Sequence, residues 1–463
     1  MGLQITLVNP PYRTRPHQHP PFPPLGIGYL AAVLEKNSFE VKVIDCQASR
    51  FTYEDFECEI AKHTPDIVGV TAPTRLYNSA KEILRISKEK HPKTVTMLGG
   101  AHATFWNEKA LQECPHLDVV VRNEGEYTLL ELAQRLEAGK DISNVAGTTQ
   151  RKEGGEGFIF NADRAYIENL DELPFPARHL WDLEAIRKQE DMFYLIITRG
   201  CTAWCNFCAA VRMFGRRYRM RSIQNVVDEL EFLYKTYNAE NFTFCDDAFT
   251  VDMKRTEELC EEINRRNLKI KWNMGTRVDR VSKELLQKMK DAGCVSMWCG
   301  LESGTQEVLN DMHKGISTDQ TRKALKWVRE IGLKPTPNVL LGYPGETIES
   351  ALKSIKFAEE VSPDEIAYYN IATPYPGTPM YDEVMKNGWI KNTNFDDYDA
   401  TQPIFETPQL SMQNLQALYD YAFKSFYTRP SYVLRMWKKG FNSGYAATKR
   451  YIYFKRKKIS LKK

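Results

Sequence analysis

Short apolar runs alternate with stretches of helical periodicity along most of the chain. In the first third the runs are Ile5-Thr6-Leu7-Val8, Val41-Lys42-Val43-Ile44, Ile67-Val68-Gly69-Val70, Val95-Thr96-Met97-Leu98 and Val119-Val120-Val121, with helical patterns such as 25–35 and 126–136 between them. Five strand-helix units in a row predict a parallel, doubly wound sheet. Ligands of such sheets bind beyond the carboxyl ends of the strands, so the residues after each run matter most.

A denser stretch of turn residues follows. Arg151-Lys152-Glu153-Gly154-Gly155-Glu156-Gly157 reads as a hairpin, and Leu170-Asp171-Glu172-Leu173-Pro174-Phe175-Pro176-Ala177 as a surface crossing between two domains. Strand-helix alternation then resumes with Tyr194-Leu195-Ile196-Ile197-Thr198, Phe242-Thr243-Phe244, Ile270-Lys271-Trp272, Val295-Ser296-Met297-Trp298, Val339-Leu340-Leu341 and Ile366-Ala367-Tyr368-Tyr369. Six units are too few to close an eight-strand barrel and predict an open one. After Pro374-Tyr375-Pro376-Gly377-Thr378-Pro379 the pattern fades into a small helical region.

Composition adds little to this picture except at one end. With 42% hydrophobic and 27% charged residues, the 463-residue chain has material for two ordinary cores. No apolar run reaches the roughly 18 residues that span a bilayer, and Met1-Gly2-Leu3-Gln4-Ile5 lacks the regions of a signal peptide, so a reducing cytoplasm is expected. The net charge is +3, but the stretch from Thr428 onward carries 12 Lys and Arg and no acidic residue. Basic and aromatic residues alternate there in Lys449-Arg450-Tyr451-Ile452-Tyr453-Phe454-Lys455-Arg456, a composition suited to an anionic surface or to a solvated tail.

The chemistry concentrates at Cys201-Thr202-Ala203-Trp204-Cys205-Asn206-Phe207-Cys208, directly after the first strand of the second half. Three thiolates spaced C-x3-C-x2-C can bind three irons of a [4Fe-4S] cube and leave the fourth open. A zinc site is the competing reading, although no fourth Cys or His lies nearby in sequence to close it. Cys46, Cys58, Cys114, Cys245, Cys260, Cys294 and Cys299 are scattered and read as small buried apolar residues.

The spacing, Phe207 before the third Cys and the placement after a first strand resemble the radical S-adenosylmethionine (SAM) superfamily. The resemblance implies Cys201, Cys205 and Cys208 as cluster ligands, with SAM chelated at the free iron. It implies SAM contacts from Phe207, from Asp246 and Asp247 after the second strand, from Arg277 after the third, from Glu302 after the fourth, and from Gly342 and Glu346 after the fifth. Each is also an ordinary cap or turn residue type. The Arg-rich loop Arg216, Arg217, Arg219, Arg221 grips an acidic substrate or nucleic acid on one reading and covers the cluster on the other.

The pattern Asn9-Pro10-Pro11, Pro24-Leu25-Gly26, Gly99-Gly100-Ala101-His102-Ala103-Thr104 and Glu124-Gly125-Glu126, ahead of such a core, resembles the cobalamin-binding domain of cobalamin-dependent radical SAM enzymes. No G-x-G-x-x-G follows the first strand, which disfavours a nicotinamide or flavin. The resemblance implies corrin or tail contacts from Asn9, Pro10, Pro24, Leu25, Gly26, Glu124 and Glu126. It places Thr71, Thr74, Arg75 and Leu76 below the corrin, and Gly99, Gly100, His102, Ala103 and Thr104 along the tail channel, with His102 orienting rather than ligating cobalt. His17 and His19 lack a D-x-H-x-x-G setting, so the lower face of cobalt is expected to have no His.

The expected architecture is therefore α/β: a Rossmann-like cobalamin-binding domain over 1–145, a connector over 146–190, a partial (βα)6 radical SAM barrel over 191–385, and a helical cap with a basic tail over 386–463. The implied cofactors are a [4Fe-4S] cluster, SAM and cobalamin, with a flavodoxin- or ferredoxin-type reductant as partner. The implied activity is methylation of an unactivated carbon of a peptide, protein, lipid or other substrate, by way of methylcobalamin and a 5′-deoxyadenosyl radical. No side chain is assigned acid-base or nucleophilic work. Radical cyclisation or rearrangement without methyl transfer is the enzymatic alternative, and a cobalamin-responsive binding protein with a structural cluster is the third reading.

Overall fold

The computed structural model describes residues 2–12, 23–152, 154, 157–189, 191–365, 367–459 and 461. Ile366, the hairpin tip at Glu153, Gly155 and Glu156, and the loop holding His17 and His19 lie outside the described residues.

The first sheet contains β1 (Gln4–Asn9), β2 (Glu40–Asp45), β3 (Ile67–Thr71), β4 (Val95–Gly99), β5 (Val119–Val121), β6 (Thr148–Arg151) and β7 (Phe158–Phe160), in the order β2-β1-β3-β4-β5-β6-β7. The first five are parallel, in register from Ile5 beside Ile67 and Ile67 beside Val95. β6 and β7 are antiparallel additions. The strand order reverses at β1, with β2 added on one side and β3 on the other, so a crevice opens beyond the carboxyl ends of β1 and β3. Apolar cores line both faces of this sheet.

The hairpin read as part of the connector therefore extends this sheet by two strands. The rest of that stretch is not a surface crossing either: Ile167, Leu170 and Leu173 are buried against Tyr29 and Val33, and Trp181 and Ile186 against Leu25 and Tyr194. The turn residues were read correctly as turns, but the apolar residues between them fill the seam between the halves.

The second half contributes β8 (Phe193–Leu195), β9 (Thr198–Arg199), β10 (Arg219–Met220), β11 (Asn241–Phe244), β12 (Lys271–Thr276), β13 (Cys294–Glu302), β14 (Lys334–Leu341) and β15 (Tyr368–Ile371). Six of these form an open, wholly parallel sheet in the order β15-β14-β13-β12-β11-β8. Helices return between the strands, several from a side-chain cap such as Ser222 accepting from Asn225 N–H or Thr347 from Ser350 N–H.

Two details depart from the expected strands. The cluster strand breaks after Leu195, because the Asp246 carboxylate takes the N–H groups of Ile197 and Thr198 at 3.1 and 2.6 Å. β9 then leaves the sheet and pairs with β10, Arg199 opposite Arg219. β14 starts at Lys334 and runs through Pro335 and Pro337, which hid its first half from the apolar pattern.

The helix Met412–Tyr427 packs on the barrel: Leu415, Leu418 and Ala422 sit in the same core as its strands. The C-terminal region also reaches the first domain, where Phe395 packs its ring 4.6 Å from His102 and Asn78 bonds Asn394 and Asp396. No helix among the described residues is long and apolar enough to cross a membrane.

Candidate active site

The carboxyl ends of the two sheets face one another across a cavity of about 230 Å³. From the first sheet it is lined by Leu7, Gly69, Thr71, Met97, Gly99, Gly100, Val121, Glu124 and Glu126, with Gly26 and Tyr29 on the helix after β1. From the barrel come Ile196, Thr198, Arg199, Cys245 and Asp247. Most of the lining is apolar.

A buried ionic network closes the same seam. Arg199 and Arg219 stand directly opposite each other on β9 and β10, a repulsive arrangement unless an anion lies between them. Glu124 supplies it, receiving Arg199 at 2.9 Å and Arg219 at 2.8 Å, while Ile167 N–H donates to the same carboxylate at 2.8 Å. Burial opposes the charge on Glu124, but the two guanidinium groups outweigh it and hold the carboxyl below its usual range. Arg199 also donates to one oxygen of Glu126 at 2.5 Å. The other oxygen of Glu126 is buried without a hydrogen-bond partner.

A second buried anion, Glu229, receives Arg178 at 2.6 Å and Arg221 at 2.5 Å, and Arg178 bonds the carbonyl of Tyr194. Arg216 lies over the Trp204 ring at 3.8 Å and Arg217 pairs with Glu168. Of the Arg-rich loop, Arg219 and Arg221 are thus structural, and Arg216 packs directly on the cluster loop.

That loop is pinned through its own Asn206, whose N–H donates to Met312 O at 2.9 Å and whose side chain donates to Asp311 O at 2.9 Å. Cys201 and Cys205 are partly exposed and Cys208 exposed, and Cys208 Sγ accepts Ala210 N–H at 3.5 Å. Burial raises the thiol of Cys205, against which the nearby Lys314 ammonium pulls downward. Among the described residues no three His, Cys, Asp or Glu side chains are grouped as ligands of a single metal ion. Cluster ligands each bind a different iron, so thiols along one loop fit that donor set.

Beside Cys205, Lys314 Nζ bonds Glu302 Oε1 at 2.7 Å with both side chains buried. Lys314 lies 5.8 Å from the Phe207 ring, and Phe207 itself packs toward Tyr343 and Met312. Glu302 ends β13 at a register shift with a left-handed backbone, φ 59°, a conformation that costs a non-glycine residue energy. Arg277 is held by Asp279 at 2.9 Å and leaves one buried guanidinium nitrogen unpartnered. Lys314 was missed from the sequence, where it follows a short helix with no motif to mark it.

Other expected SAM contacts are placed differently. Asp246 is turned into the protein, accepting from the backbone of Ile197 and Thr198 and from Thr198 Oγ1, and burial pushes its carboxyl up to about 7. Glu346 accepts Gly342 N–H at 2.5 Å in a fully buried position, where burial raises it to about 8. Both carboxyl groups shape loops. Asp247 lines the cavity.

Of the expected cobalamin contacts, Gly26, Thr71, Gly99, Gly100, Glu124 and Glu126 line the cavity. The rest are not among its lining residues. Asn9 is tied to Asp45 at 2.8 Å and Gln47 to Pro10 O at 3.0 Å; Pro24 precedes the helix Leu25–Lys36, and Leu25 packs against Trp181. Arg75 bonds Tyr12 OH at 2.6 Å, and Leu76 is buried beside it. His102 is buried against Tyr77, Trp106 and Phe395, 3.3 Å from Thr74 Oγ1, and burial drops it to about 3, so it stays neutral. Ala103 is buried behind it, and Thr104 Oγ1 bonds Gly100 O while accepting Asn123 N–H. The glycine motif thus lines the cavity with its glycines, while its His and Thr brace the loop.

The cavity suits a corrin cofactor's apolar body and amide-bearing edge: its walls are apolar, its floor has glycines where side chains would project, and the free oxygen of Glu126 is an acceptor awaiting an N–H. Among known proteins, the B12 binding domain family matches residues 19–133 and the radical SAM superfamily residues 195–358. An uncharacterized methyltransferase from Pyrococcus horikoshii is 33% identical over 89% of this chain and 89% of its own length. An anaerobic magnesium-protoporphyrin IX monomethyl ester cyclase from Rubrivivax gelatinosus is 29% identical over 83% of this chain and 70% of its own. The solved radical SAM methyltransferase TsrM from Kitasatospora setae, with cobalamin and a [4Fe-4S] cluster bound, superposes with a TM-score of 0.72 at 20% identity, covering 84% of this chain and 75% of that one. Two cofactor domains joined at one cavity, with a relative this similar along nearly its whole length, make this chain a member of the cobalamin-dependent radical SAM enzymes, whose cofactors are cobalamin, a [4Fe-4S] cluster and SAM.

Proposed function

We propose that this enzyme is a cobalamin-dependent C-methyltransferase acting on an unactivated carbon, with a flavodoxin- or ferredoxin-type protein as reductant. The observation that carries the reading is the shared cavity: strand ends of the cobalamin-binding sheet and of the cluster strand line one space. When bound, the cluster delivers the electron that cleaves SAM, and cobalamin carries the methyl group.

The chain's own residues do the positioning. Cys201, Cys205 and Cys208 would hold three irons of the cluster. Arg277 and the Glu302–Lys314 pair bring cationic and anionic groups close to Cys205, the complement of a zwitterionic amino acid moiety. Glu126 would offer its free oxygen to an amide N–H of bound cobalamin. Asp246 holds the backbone ahead of the cluster loop, and the Glu124–Arg199–Arg219 network fixes the distance between the halves. The substrate class is a peptide or protein, a lipid, or another molecule with a carbon-hydrogen bond exposed to both cofactors.

The test is anaerobic turnover of reconstituted enzyme with SAM, reductant and cobalamin, following 5′-deoxyadenosine and S-adenosylhomocysteine separately, with Cys205→Ala as control. Both products from the parent protein and no 5′-deoxyadenosine from the variant support methyl transfer. The likeness to a cyclase favours a second reading, radical ring formation; 5′-deoxyadenosine with substrate consumed but no S-adenosylhomocysteine selects it. Neither product from protein holding both cofactors overturns both readings in favour of a binding role.

A further inference from the structure

The two C-terminal helices, Pro430–Lys438 and Phe441–Arg456, form a hairpin that packs back on the helix Met412–Tyr427. Its inner face is apolar and covered: Tyr432 and Ala447 are buried with Phe426, and Phe454 stacks on Tyr427 at 5.2 Å. Gly444 lets the two helices close, since a Cβ there would meet the Trp437 ring at 2.3 Å.

The outer face is the unusual one. Leu434, Trp437, Phe441 and Tyr445 are 64%, 43%, 70% and 50% exposed. They are continuous, Trp437 edge-on to Phe441 at 5.6 Å and Phe441 stacked on Tyr445 at 6.1 Å. Lys449 extends the row with its ammonium 4.5 Å over Tyr445, and beyond it a shallow groove is lined by Lys449, Ile452, Tyr453, Arg456 and Lys457. Lys457 pairs with Asp420. Among the described residues no carboxylate pairs with Lys438, Lys449, Lys455, Arg456 or Lys458, while Arg450 turns inward to Tyr432 OH and the Tyr427 ring.

We propose that this hairpin docks the enzyme on an anionic lipid bilayer, the aromatic row entering the interface and the free cations meeting lipid phosphates. Single-stranded nucleic acid would stack on the rings and use the cations but has no use for the aliphatic Leu434, 64% exposed at the end of the row; a bilayer surface uses the aliphatic group, the rings and the cations together. The hairpin is anchored through Arg435 to Asp364 and Lys439 to Glu365, residues just ahead of β15. It therefore sits at the amino end of that strand, opposite the carboxyl ends that carry the cavity, so docking leaves the active site away from the lipid surface.

Sedimentation of the holoenzyme with vesicles tests this. Vesicles of phosphatidylcholine and phosphatidylglycerol at roughly two to one should carry the protein down, and pure phosphatidylcholine should not. Binding should weaken at least about tenfold in roughly 0.5 M salt, and similarly in Lys449→Glu/Arg456→Glu. Phe441→Ser/Tyr445→Ser should weaken it while leaving 5′-deoxyadenosine formation intact. Brominated lipid should quench tryptophan fluorescence, and Trp437→Phe should remove that quenching. Equal binding to neutral vesicles, no binding to either kind, indifference to both double variants, or retention of single-stranded RNA in place of vesicles would each overturn the proposal.

Discussion

Arg199 and Glu124, 75 residues apart in sequence, meet at 2.9 Å in the buried seam between the cluster strand and the cobalamin-binding sheet. Glu124 is the shared anion of Arg199 and Arg219, so its removal leaves two buried cations facing each other across β9 and β10.

Breaking a buried pair from one side typically costs about 3–5 kcal/mol. Glu124→Ala is therefore expected to lower stability by about that amount and to loosen the two halves from one another. Thermal unfolding followed by cobalamin absorbance and by cluster absorbance should separate into two transitions in the variant and coincide in the parent.

Gly99 ends β4 with room around it: a Cβ there would come no closer than 3.8 Å to any other atom, so the backbone accepts a side chain. That side chain would enter the cavity. Gly99→Val should weaken cobalamin binding at least about tenfold, because interiors do not yield volume cheaply, while iron content and unfolding temperature stay near those of the parent. Equilibrium titration with cobalamin measures it; unchanged affinity would remove the cavity from the cobalamin site.

Gly300 offers the complementary experiment on the proposed SAM contacts. A Cβ there would fall 2.1 Å from Glu302 Oε1 and 2.4 Å from Lys314 Nζ. Both are the far ends of flexible side chains, so Gly300→Ala should fold yet displace the pair. The expected result is a KM for SAM raised roughly tenfold, a loss of about 1.4 kcal/mol in binding, with cluster content preserved.

Glu346 makes a prediction about pH. Its carboxyl has a folded pKa of about 8, above the ordinary 4.5, because burial disfavours its charge. The folded state thus holds the proton more tightly than the unfolded chain. Its contribution to stability is complete below pH 4.5 and is lost as pH rises toward 8, at about 1.4 kcal/mol per pH unit across that window. Glu346→Gln keeps an acceptor for Gly342 N–H and cannot ionise. Its unfolding temperature should exceed the parent's at pH 8 to 9 and match it near pH 5.

The strand-helix alternation and the cysteine spacing were legible because each is local: a run of four residues or a loop of eight carries the signal. The glycines after β4 and the acidic residues after β5 were legible as positions, since strand ends of a doubly wound sheet point to the ligand crevice. What each side chain does there was not. Glu124 and Asp246 look like ligand contacts in sequence, but their partners, Arg199 and Arg219 for one and the backbone before the cluster loop for the other, lie about 50 to 100 residues away. His102 reads in sequence as an orienting residue of the tail channel, and its aromatic nest could not be read there, because Phe395 arrives from the far end of the chain. Lys314 was invisible for the same reason: only the fold brings it to Glu302 and Phe207.

That nest has a consequence for synthesis on the ribosome. Tyr77, His102 and Trp106 emerge early, and Phe395, which sits 5.8, 4.6 and 5.4 Å from them, is made about 290 residues later. At 5–20 residues per second the delay is roughly 15–60 s. During that interval the nascent first domain holds an uncovered aromatic face at the site where the C-terminal region will land, so this enzyme's yield in a foreign host should depend on chaperone supply more than the stability of its finished fold would suggest.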